Sequence, residues 1–251
     1  MIVRPDGDGL LLLTQEQHAH LSGDLAARLS EAPDPRAELV RGAREHDNGW
    51  REFDERPRLS VAGGATPYSQ MPRDEYRAIW RRGVARASEM GEYVGLLVSL
   101  HGMRMFEKRT DPEDRAFYAE ERARENGMLA SLRIGGSWEA LPEPVRRHSA
   151  WIAFLDGLTL LALDGWKSPW VTDHDGLGRI EARRVGDSVF VAPWPFDAPT
   201  LVFHLPARRL ATARFADQEA LDAAWRASTE RLIEVVYQAP ATEAGLRSAV
   251  E

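Results

Sequence analysis

The stretch Arg44-Glu45-His46-Asp47-Asn48-Gly49-Trp50 decides how the rest of the chain is interpreted. His46 and Asp47 place an imidazole nitrogen and a carboxylate oxygen on neighbouring residues, and two such groups can bind a divalent metal ion. A single His-Asp pair arises often by chance. The prediction of a metal site therefore depends on whether distant parts of the chain bring matching ligands to the same place.

The composition is that of a globular protein with a sizeable core, since 43% of the 251 residues are apolar and 28% are charged. A formal net charge of −7 disfavours nucleic acid and anionic membranes as partners. The chain has no cysteine, which excludes disulfides, thiolate metal sites and cysteine nucleophiles. Any metal ligands must therefore come from His, Asp and Glu side chains and from water.

No targeting or membrane segment is evident in the sequence. The first residues lack the basic-then-apolar pattern of a signal peptide. The longest apolar segment, residues 150–163, is shorter than the roughly 20 residues that a membrane span needs. We expect a cytoplasmic protein that acts on a small-molecule substrate and has no membrane partner, and a homodimer is compatible with the chain.

Two helices are predicted to lead into the His-Asp pair. Thr14 and Gln17 form a capping box, and the following helix, to about Leu29, has His18 on its apolar stripe. A second helix begins at Pro35 with Asp34 as its cap. Its inward stripe continues to His46 and Asp47, and Gly49 is expected to end it. The pair is thus predicted to lie at a buried helix end.

Two later helices each carry a polar residue among apolar neighbours. Residues 93–106 are apolar nearly all round, which predicts a buried helix containing His101. In a helix over residues 142–163, Asp156 lies on the same inward row as Ile152 and Thr159. A carboxylate in such a position is costly unless it is paired or bound to a metal. An arginine partner is the alternative to a metal.

The C-terminal part predicts strands. Residues 179–185 and 188–192 alternate around Gly186-Asp187, which is typical of a hairpin. Further strands are expected at residues 200–205 and 231–237, with a short helix at about 218–228. We therefore predict a helical metal-binding core over residues 1–166 and a β-rich extension over residues 167–251, packed as one compact unit.

The motifs Gln15-x-x-His18, His46-Asp47-x-Gly49-Trp50 and Ser99-Leu100-His101-Gly102 look like those of an uncharacterised bacterial family of unknown function. Over about residues 13–163 the chain also resembles the HD-domain superfamily of metal-dependent phosphohydrolases. The signature of that superfamily is a His, a His-Asp pair on the next helix and a distant Asp. The resemblance implies a mainly α fold, an HD-like helical bundle, with a small antiparallel β-sheet from the C-terminal segment.

The resemblance implies a metal site with one or two divalent ions. The predicted ligands are His18, His46, Asp47, His101 and Asp156. Asp47, His101 and Gln15 are the predicted catalytic residues, with Gln15 placed to orient a ligand or bind substrate. Imidazoles and carboxylates suit Fe, Mn, Ni, Zn or Mg. Such an ion lowers the pKa of its water and supplies a hydroxide nucleophile, and Asp47 could bridge two ions.

Three functions stay open at this point. The first is an HD-type metal-dependent hydrolase of a small phosphoester or related anion, and the arginines near the motifs that could bind such an anion are Arg44, Arg51, Arg73, Arg104 and Arg109. The second is an HD-type di-iron oxygenase, which is compatible with Trp50 at the position where many HD proteins place a Lys or Arg that contacts phosphate. His148 is a poor but possible further ligand, which weakens a two-metal phosphohydrolase. The third is a non-catalytic ligand-binding or scaffold protein with structural histidines.

Overall fold

The computed structural model describes residues 1–164, 168–174 and 177–240. Helices account for 50% of the chain and a curled, mixed β-sheet for 23%. The helices are α1 (Gln15–Ala27), α2 (Arg36–Glu45), α3 (Arg51–Asp54), α4 (Arg73–Met90), α5 (Glu92–Arg104), α6 (Pro112–Ser131), α7 (Glu143–Asp164) and α8 (Gln218–Ala227). The strands are β1 (Ile2–Asp6), β2 (Gly9–Leu13), β3 (Trp170–His174), β4 (Gly178–Val185), β5 (Ser188–Ala192), β6 (Thr200–Leu210) and β7 (Glu230–Gln238).

The prediction of a mainly α bundle with a small antiparallel sheet from the C-terminal segment is wrong, and the fold is α/β. Among the described residues the sheet has seven strands in the order β1-β2-β6-β7-β5-β4-β3. The N-terminal hairpin joins it where Leu10 lies opposite Leu210, and β5 runs parallel to β7. Strand pairing across 200 residues has no local sequence signal, so sequence patterns do not assign the N-terminal hairpin to this sheet.

Helix α7 lies between the other helices and the sheet. It contacts α1, α2 and α5, and it also contacts β1, β3, β4 and β5. Nearly every side chain from Val145 to Leu163 is buried, which explains why the sequence of this helix is apolar all round. A polar side chain on any side of α7 is therefore surrounded by other protein groups, and Asp156 is such a residue.

Most local predictions for these elements are confirmed. The capping box of Thr14 and Gln17 starts α1, and the buried helix expected over residues 93–106 is α5, Glu92–Arg104. The hairpin of β4 and β5 turns where Val185 pairs with Ser188. Asp34 does not cap α2, because Pro35 occupies the N-cap position. The predicted domain boundary at residues 166–167 lies outside the described residues and stays a prediction.

Candidate metal centre

The structure brings all five predicted metal ligands together. The contributing elements are α1 with His18, the end of α2 with His46 and Asp47, α5 with His101, and α7 with Asp156. Each of these residues is at most 9% exposed. The cluster reaches solvent only slightly, through its carboxylates, because the side chain of Asp156 is 13% exposed and that of Asp47 is 8% exposed.

Four donor atoms lie close to one another at the centre of the cluster. His18 Nε2 is 2.9 Å from Asp156 Oδ1 and 3.1 Å from His46 Nε2. Asp47 Oδ2 is 3.6 Å from His46 Nε2 and 3.8 Å from His18 Nε2. His46 Nε2 is 3.6 Å from Asp156 Oδ1. These separations can be compared with the edges of a metal coordination polyhedron.

The comparison favours a metal ion at the centre of the four atoms. With metal–ligand bonds of about 2.1 Å, neighbouring ligand atoms are separated by about 3.0 Å in an octahedral site and about 3.4 Å in a tetrahedral site. Five of the six separations among the donor atoms of His18, His46, Asp47 and Asp156, all except that between the two carboxylates, are 2.9–3.8 Å and span these values. The donor set of two imidazoles and two carboxylates suits a transition metal such as Fe, Mn, Ni or Zn.

Hydrogen bonds outside the cluster fix the tautomers of both histidines. His46 Nδ1 lies 2.8 Å from the Ala43 carbonyl, which can only accept, so Nδ1 carries the hydrogen. His18 Nδ1 lies 2.8 Å from the Thr159 hydroxyl. That hydroxyl donates back to the carbonyls of Leu155 and Asp156, at 3.1 and 2.9 Å, so its oxygen accepts from His18. In their neutral forms both histidines direct an Nε2 lone pair into the cluster.

Lone pairs at these distances repel one another unless a cation lies between them. In the protein without a metal, a proton takes that place. Burial alone lowers the pKa of His46, but Asp47 and Asp156 outweigh burial and raise that pKa to about 9. Burial favours the neutral form of Asp156, but contacts with His18 and His46 bring its pKa well below the usual range. The site is thus built to stabilise positive charge.

His101 completes the cluster on its other side. Its Nε2 lies 3.7 Å from Asp156 Oδ2, and His46, His101 and Asp156 form a second group that could hold an ion. Burial lowers the pKa of His101 to about 3, so this imidazole is neutral. Among the described residues its Nδ1 has no hydrogen-bond partner. A buried neutral histidine without a partner is the form in which histidine binds a metal.

Gln15 contacts the cluster as a positioning residue. Its Nε2 donates to Asp47 Oδ2 at 3.2 Å, and its backbone N–H donates to Asp54 Oδ2 at 2.5 Å. Its Oε1 is buried and has no hydrogen-bond partner among the described residues. The amide therefore holds one oxygen of Asp47 in place and keeps an acceptor free.

Gly49 and Trp50 pack the turn that follows the His-Asp pair against the rest of the protein. A Cβ on Gly49 would lie 2.2 Å from the carbonyl oxygen of Ile79, so Gly49 lets the turn pack directly on α4. It does not end α2, which stops at Glu45 and is followed by a 3₁₀ turn. Trp50 is 2% exposed and has edge contacts with Tyr68 and Tyr76. It forms an aromatic wall beside the cluster.

Sequence reasoning does not single out Tyr68, and it names Arg104 only as one of five arginines that could bind an anion. The hydroxyl of Tyr68, in the irregular segment after α3, donates to Asp164 at 3.4 Å. Burial and the charge of Asp164 raise the pKa of Tyr68, so its phenol stays protonated. Burial lowers the pKa of Arg104, and the carboxylate of Asp156 is the first group that opposes this shift. Arg104 therefore brings positive charge close to Asp156, one helical turn beyond His101.

The other four arginines near the motifs have carboxylate partners outside the cluster, and of these carboxylates Asp114 is buried. Arg44 pairs with Asp24 and Arg73 with Asp111, while Arg51 pairs with Glu16 and Arg109 with Asp114.

His148 lies outside the cluster. Its Nδ1 accepts a hydrogen bond of 2.7 Å from Tyr93, and its Nε2 donates to the Pro33 carbonyl at 3.1 Å. Both ring nitrogens are therefore occupied in joining α7 to the segments that precede α2 and open α5. This histidine has a structural role.

The chain belongs to a family of proteins of unknown function, DUF3891, whose model matches residues 1–212. That match covers the whole His–Asp cluster and most of the sheet. No curated protein and no solved structure matches the chain. These comparisons do not support the resemblance to the HD-domain superfamily. Among the described residues, no helix combines the length and apolar composition needed to cross a membrane.

Proposed function

We propose that the cluster binds a divalent metal and that the protein is a metal-dependent hydrolase of a small anionic substrate, such as a phosphoester. One observation carries the proposal: in a buried site His18 Nε2 and His46 Nε2 lie 3.1 Å apart, and each lies 2.9–3.8 Å from a carboxylate oxygen of both Asp47 and Asp156. When bound, a divalent ion with an open position would activate water and polarise the substrate. The order of the ligands along the helices is also that expected for an HD-type site.

Each residue of the cluster has a defined part in this proposal. Thr159 and the Ala43 carbonyl orient the imidazoles of His18 and His46. Gln15 holds Asp47 through a hydrogen bond of 3.2 Å. Such outer contacts set the direction and basicity of ligands. This part of the cluster is therefore preorganised, because His18, His46 and Asp47 each have a second contact that fixes the side chain.

His101 is better suited to bind a metal than to act as a general base. A pKa of about 3 leaves it a weak proton acceptor at neutral pH. Arg104, whose charge interacts with Asp156, is placed to attract an anionic group toward the carboxylates. Tyr68 offers a protonated phenol in the same region. The positive charge of Arg104 and the hydrogen-bond donor of Tyr68 favour an anionic substrate over a neutral one.

Metal analysis of protein produced without a histidine tag is the first test. We expect about one or two equivalents of a divalent metal and hydrolysis of p-nitrophenyl phosphate or bis(p-nitrophenyl) phosphate that depends on added Mn, Fe, Ni, Zn or Mg. Asp156→Asn should abolish both the bound metal and the metal-dependent hydrolysis. Asp187→Asn is the matched control, because that carboxylate is 83% exposed and outside the cluster.

The outcomes separate the possible functions. Absence of bound metal, with no affinity for added Mn, Fe or Ni, would reject the metal site. Bound metal without hydrolysis would reject the hydrolase and keep the site. Two irons per chain with a spectral change that requires oxygen would favour a di-iron oxygenase, for which the second donor group of His46, His101 and Asp156 provides ligands.

A further inference from the structure

A second polar pocket lies between the curled sheet and the last turns of α7. It encloses about 280 Å³, and none of its lining residues belongs to the His–Asp cluster. Three arginines from three different strands line it, namely Arg4 of β1, Arg184 of β4 and Arg231 of β7. Ala162 of α7 closes one side. We refer to this cavity as the arginine pocket.

The curl of the sheet brings the three arginines together. Strand β1 is first in the sheet and β4 is sixth, so an open flat sheet would keep Arg4 and Arg184 far apart. Alternation along each strand places Arg4 on the face of buried Ile2, and Arg184 on the face of buried Ala182. Arg231 has the same parity as buried Val235. All three thus lie on the sheet face that also packs on α7.

Arg4 and Arg184 are poorly neutralised inside the protein. The guanidinium of Arg4 donates to the Leu163 carbonyl at 3.3 Å, and among the described residues no carboxylate lies within 4.0 Å of it. Burial lowers the pKa of Arg4, and the charge of Arg184 lowers it further. The ion pair of Arg184 with Asp187 is long, at 4.0 Å, and Asp187 is 83% exposed. Asp164 also interacts with both arginines, but its hydrogen bond comes from Tyr68.

Arg231 and the remaining acid of the pocket are already engaged. Arg231 lies 3.1 Å from Asp6 Oδ2, but Arg209 binds the same oxygen at 2.7 Å. Glu234 also lines the pocket, and its carboxylate lies 3.5 Å from His204 on the neighbouring strand. Each carboxylate near the three arginines of the pocket is therefore either largely exposed, as Asp187 is, or shared with a further partner.

We propose that the arginine pocket binds a small multivalent anion with phosphate-type oxygens. The planar guanidinium matches phosphate and carboxylate geometry through paired hydrogen bonds, and such charge-assisted bonds are strong. A volume of about 280 Å³ accommodates one phosphate group or a small organic phosphate. An anion would offset the repulsion among Arg4, Arg184 and Arg231, which the exposed or shared carboxylates Asp187, Asp6 and Asp164 compensate only in part.

This site does not depend on the proposed hydrolase activity. Ala162 lies six residues after Asp156 on α7, which corresponds to about 9 Å along the helix axis. A ligand of the arginine pocket can therefore bind while the His–Asp cluster has lost its metal. That separation allows the two proposals to fail independently.

Calorimetric titration of chelator-treated protein with pyrophosphate and with inorganic phosphate tests the proposal. We expect saturable binding, tighter for pyrophosphate, that persists in Asp156→Asn. Arg184→Gln and Arg231→Gln should each weaken it at least tenfold. Arg226→Gln is the matched control, because Arg226 is exposed on α8 and does not line the pocket.

Two results would overturn the proposal. One is the absence of saturable binding of either anion to the chelator-treated protein. The other is equal weakening by Arg226→Gln, which would mean that general surface charge attracts the anion. Thermal unfolding curves of the variants establish that they are folded, and Arg231 is a mild change because its side chain is 47% exposed. Arg4 is left unchanged because it contacts the Leu163 carbonyl.

Discussion

Replacing Thr159 by valine tests whether the histidine tautomers are fixed for metal binding. The Thr159 hydroxyl accepts from His18 Nδ1 at 2.8 Å and donates to helix carbonyls one turn earlier. Valine has nearly the same shape but no acceptor. In Thr159→Val, His18 Nδ1–H loses its partner, while Ser22, which also contacts Thr159 at 3.1 Å, keeps its own bond to the His18 carbonyl.

The size of the effect follows from the burial of these groups. Thr159 and His18 are both 0% exposed, so bulk water does not reach the vacated site. A buried donor without a partner costs about 1–3 kcal/mol of folding free energy. Loss of an outer hydrogen bond to a metal-binding histidine typically weakens metal binding about 10–100-fold. That range corresponds to about 1.4–2.7 kcal/mol of binding free energy.

Competition with a chromophoric chelator measures the metal affinity, and urea unfolding of the metal-free protein measures stability. Thr159→Ser is the matched control, because it retains the hydroxyl and should stay within a few-fold of the wild type. The reasoning about tautomers is refuted if Thr159→Val binds metal as tightly as Thr159→Ser. Loss of stability without loss of affinity would leave the hydroxyl a purely structural role.

Three further predictions use the same assays. Asp156→Asn should lower metal affinity at least about 100-fold, because it removes a charged ligand, and unchanged metal content would contradict this. The pKa of His46 in the metal-free fold, about 9, exceeds its ordinary 6.5. Metal binding should therefore release a proton, and the metal affinity should increase as the pH rises toward 9. Protonated His46 should contribute its full stabilisation of the metal-free fold below about pH 6.5, and this contribution should be lost as the pH rises from 6.5 to 9. The urea midpoint should fall over that range; a urea midpoint that does not change with pH would argue against the raised pKa. Gly49→Ala should destabilise the fold by about 1–3 kcal/mol, since its Cβ would meet the Ile79 carbonyl. Gly127→Ala, with nothing within 4 Å of the added Cβ, should instead stabilise by about 0.5–1 kcal/mol.

Local periodicity predicted the helices well, and long-range pairing limited the prediction of the fold. The helix expected over residues 142–163 is α7, Glu143–Asp164, because its continuous apolar character is a local feature of the sequence. The run of leucines in β2 reads equally well as a strand or as the approach to a helix. Its assignment depends on β6, about 200 residues later, where Leu10 pairs with Leu210. Nothing within either segment specifies that partner.

The ligands could be predicted individually because each is a polar residue on an otherwise apolar helix face. The contacts that support them could not. Thr159 lies on the same row as Asp156, but its hydrogen bond is to His18 on another helix and depends on how α1 packs on α7. Tyr68 comes from an irregular segment that has no periodicity. Such contacts follow from tertiary packing, which the sequence pattern does not encode locally.

The buried carboxylate of Asp156 distinguishes a metal site from the two simpler explanations. An arginine partner would neutralise it, but among the described residues its ion pairs within 4.0 Å are with His18, His46 and His101. A shared proton would also compensate the charge of the Asp156 carboxylate, but a proton bridges only two atoms. Here His18 and His46 lie near Oδ1 of Asp156 and also near Asp47, and His101 faces Oδ2 of Asp156. A divalent cation can contact three or more donor atoms at once, and the two donor groups, His18–His46–Asp47 and His46–His101–Asp156, could each hold one. The number of donors around Asp47 and Asp156, more than their charge, therefore favours a metal.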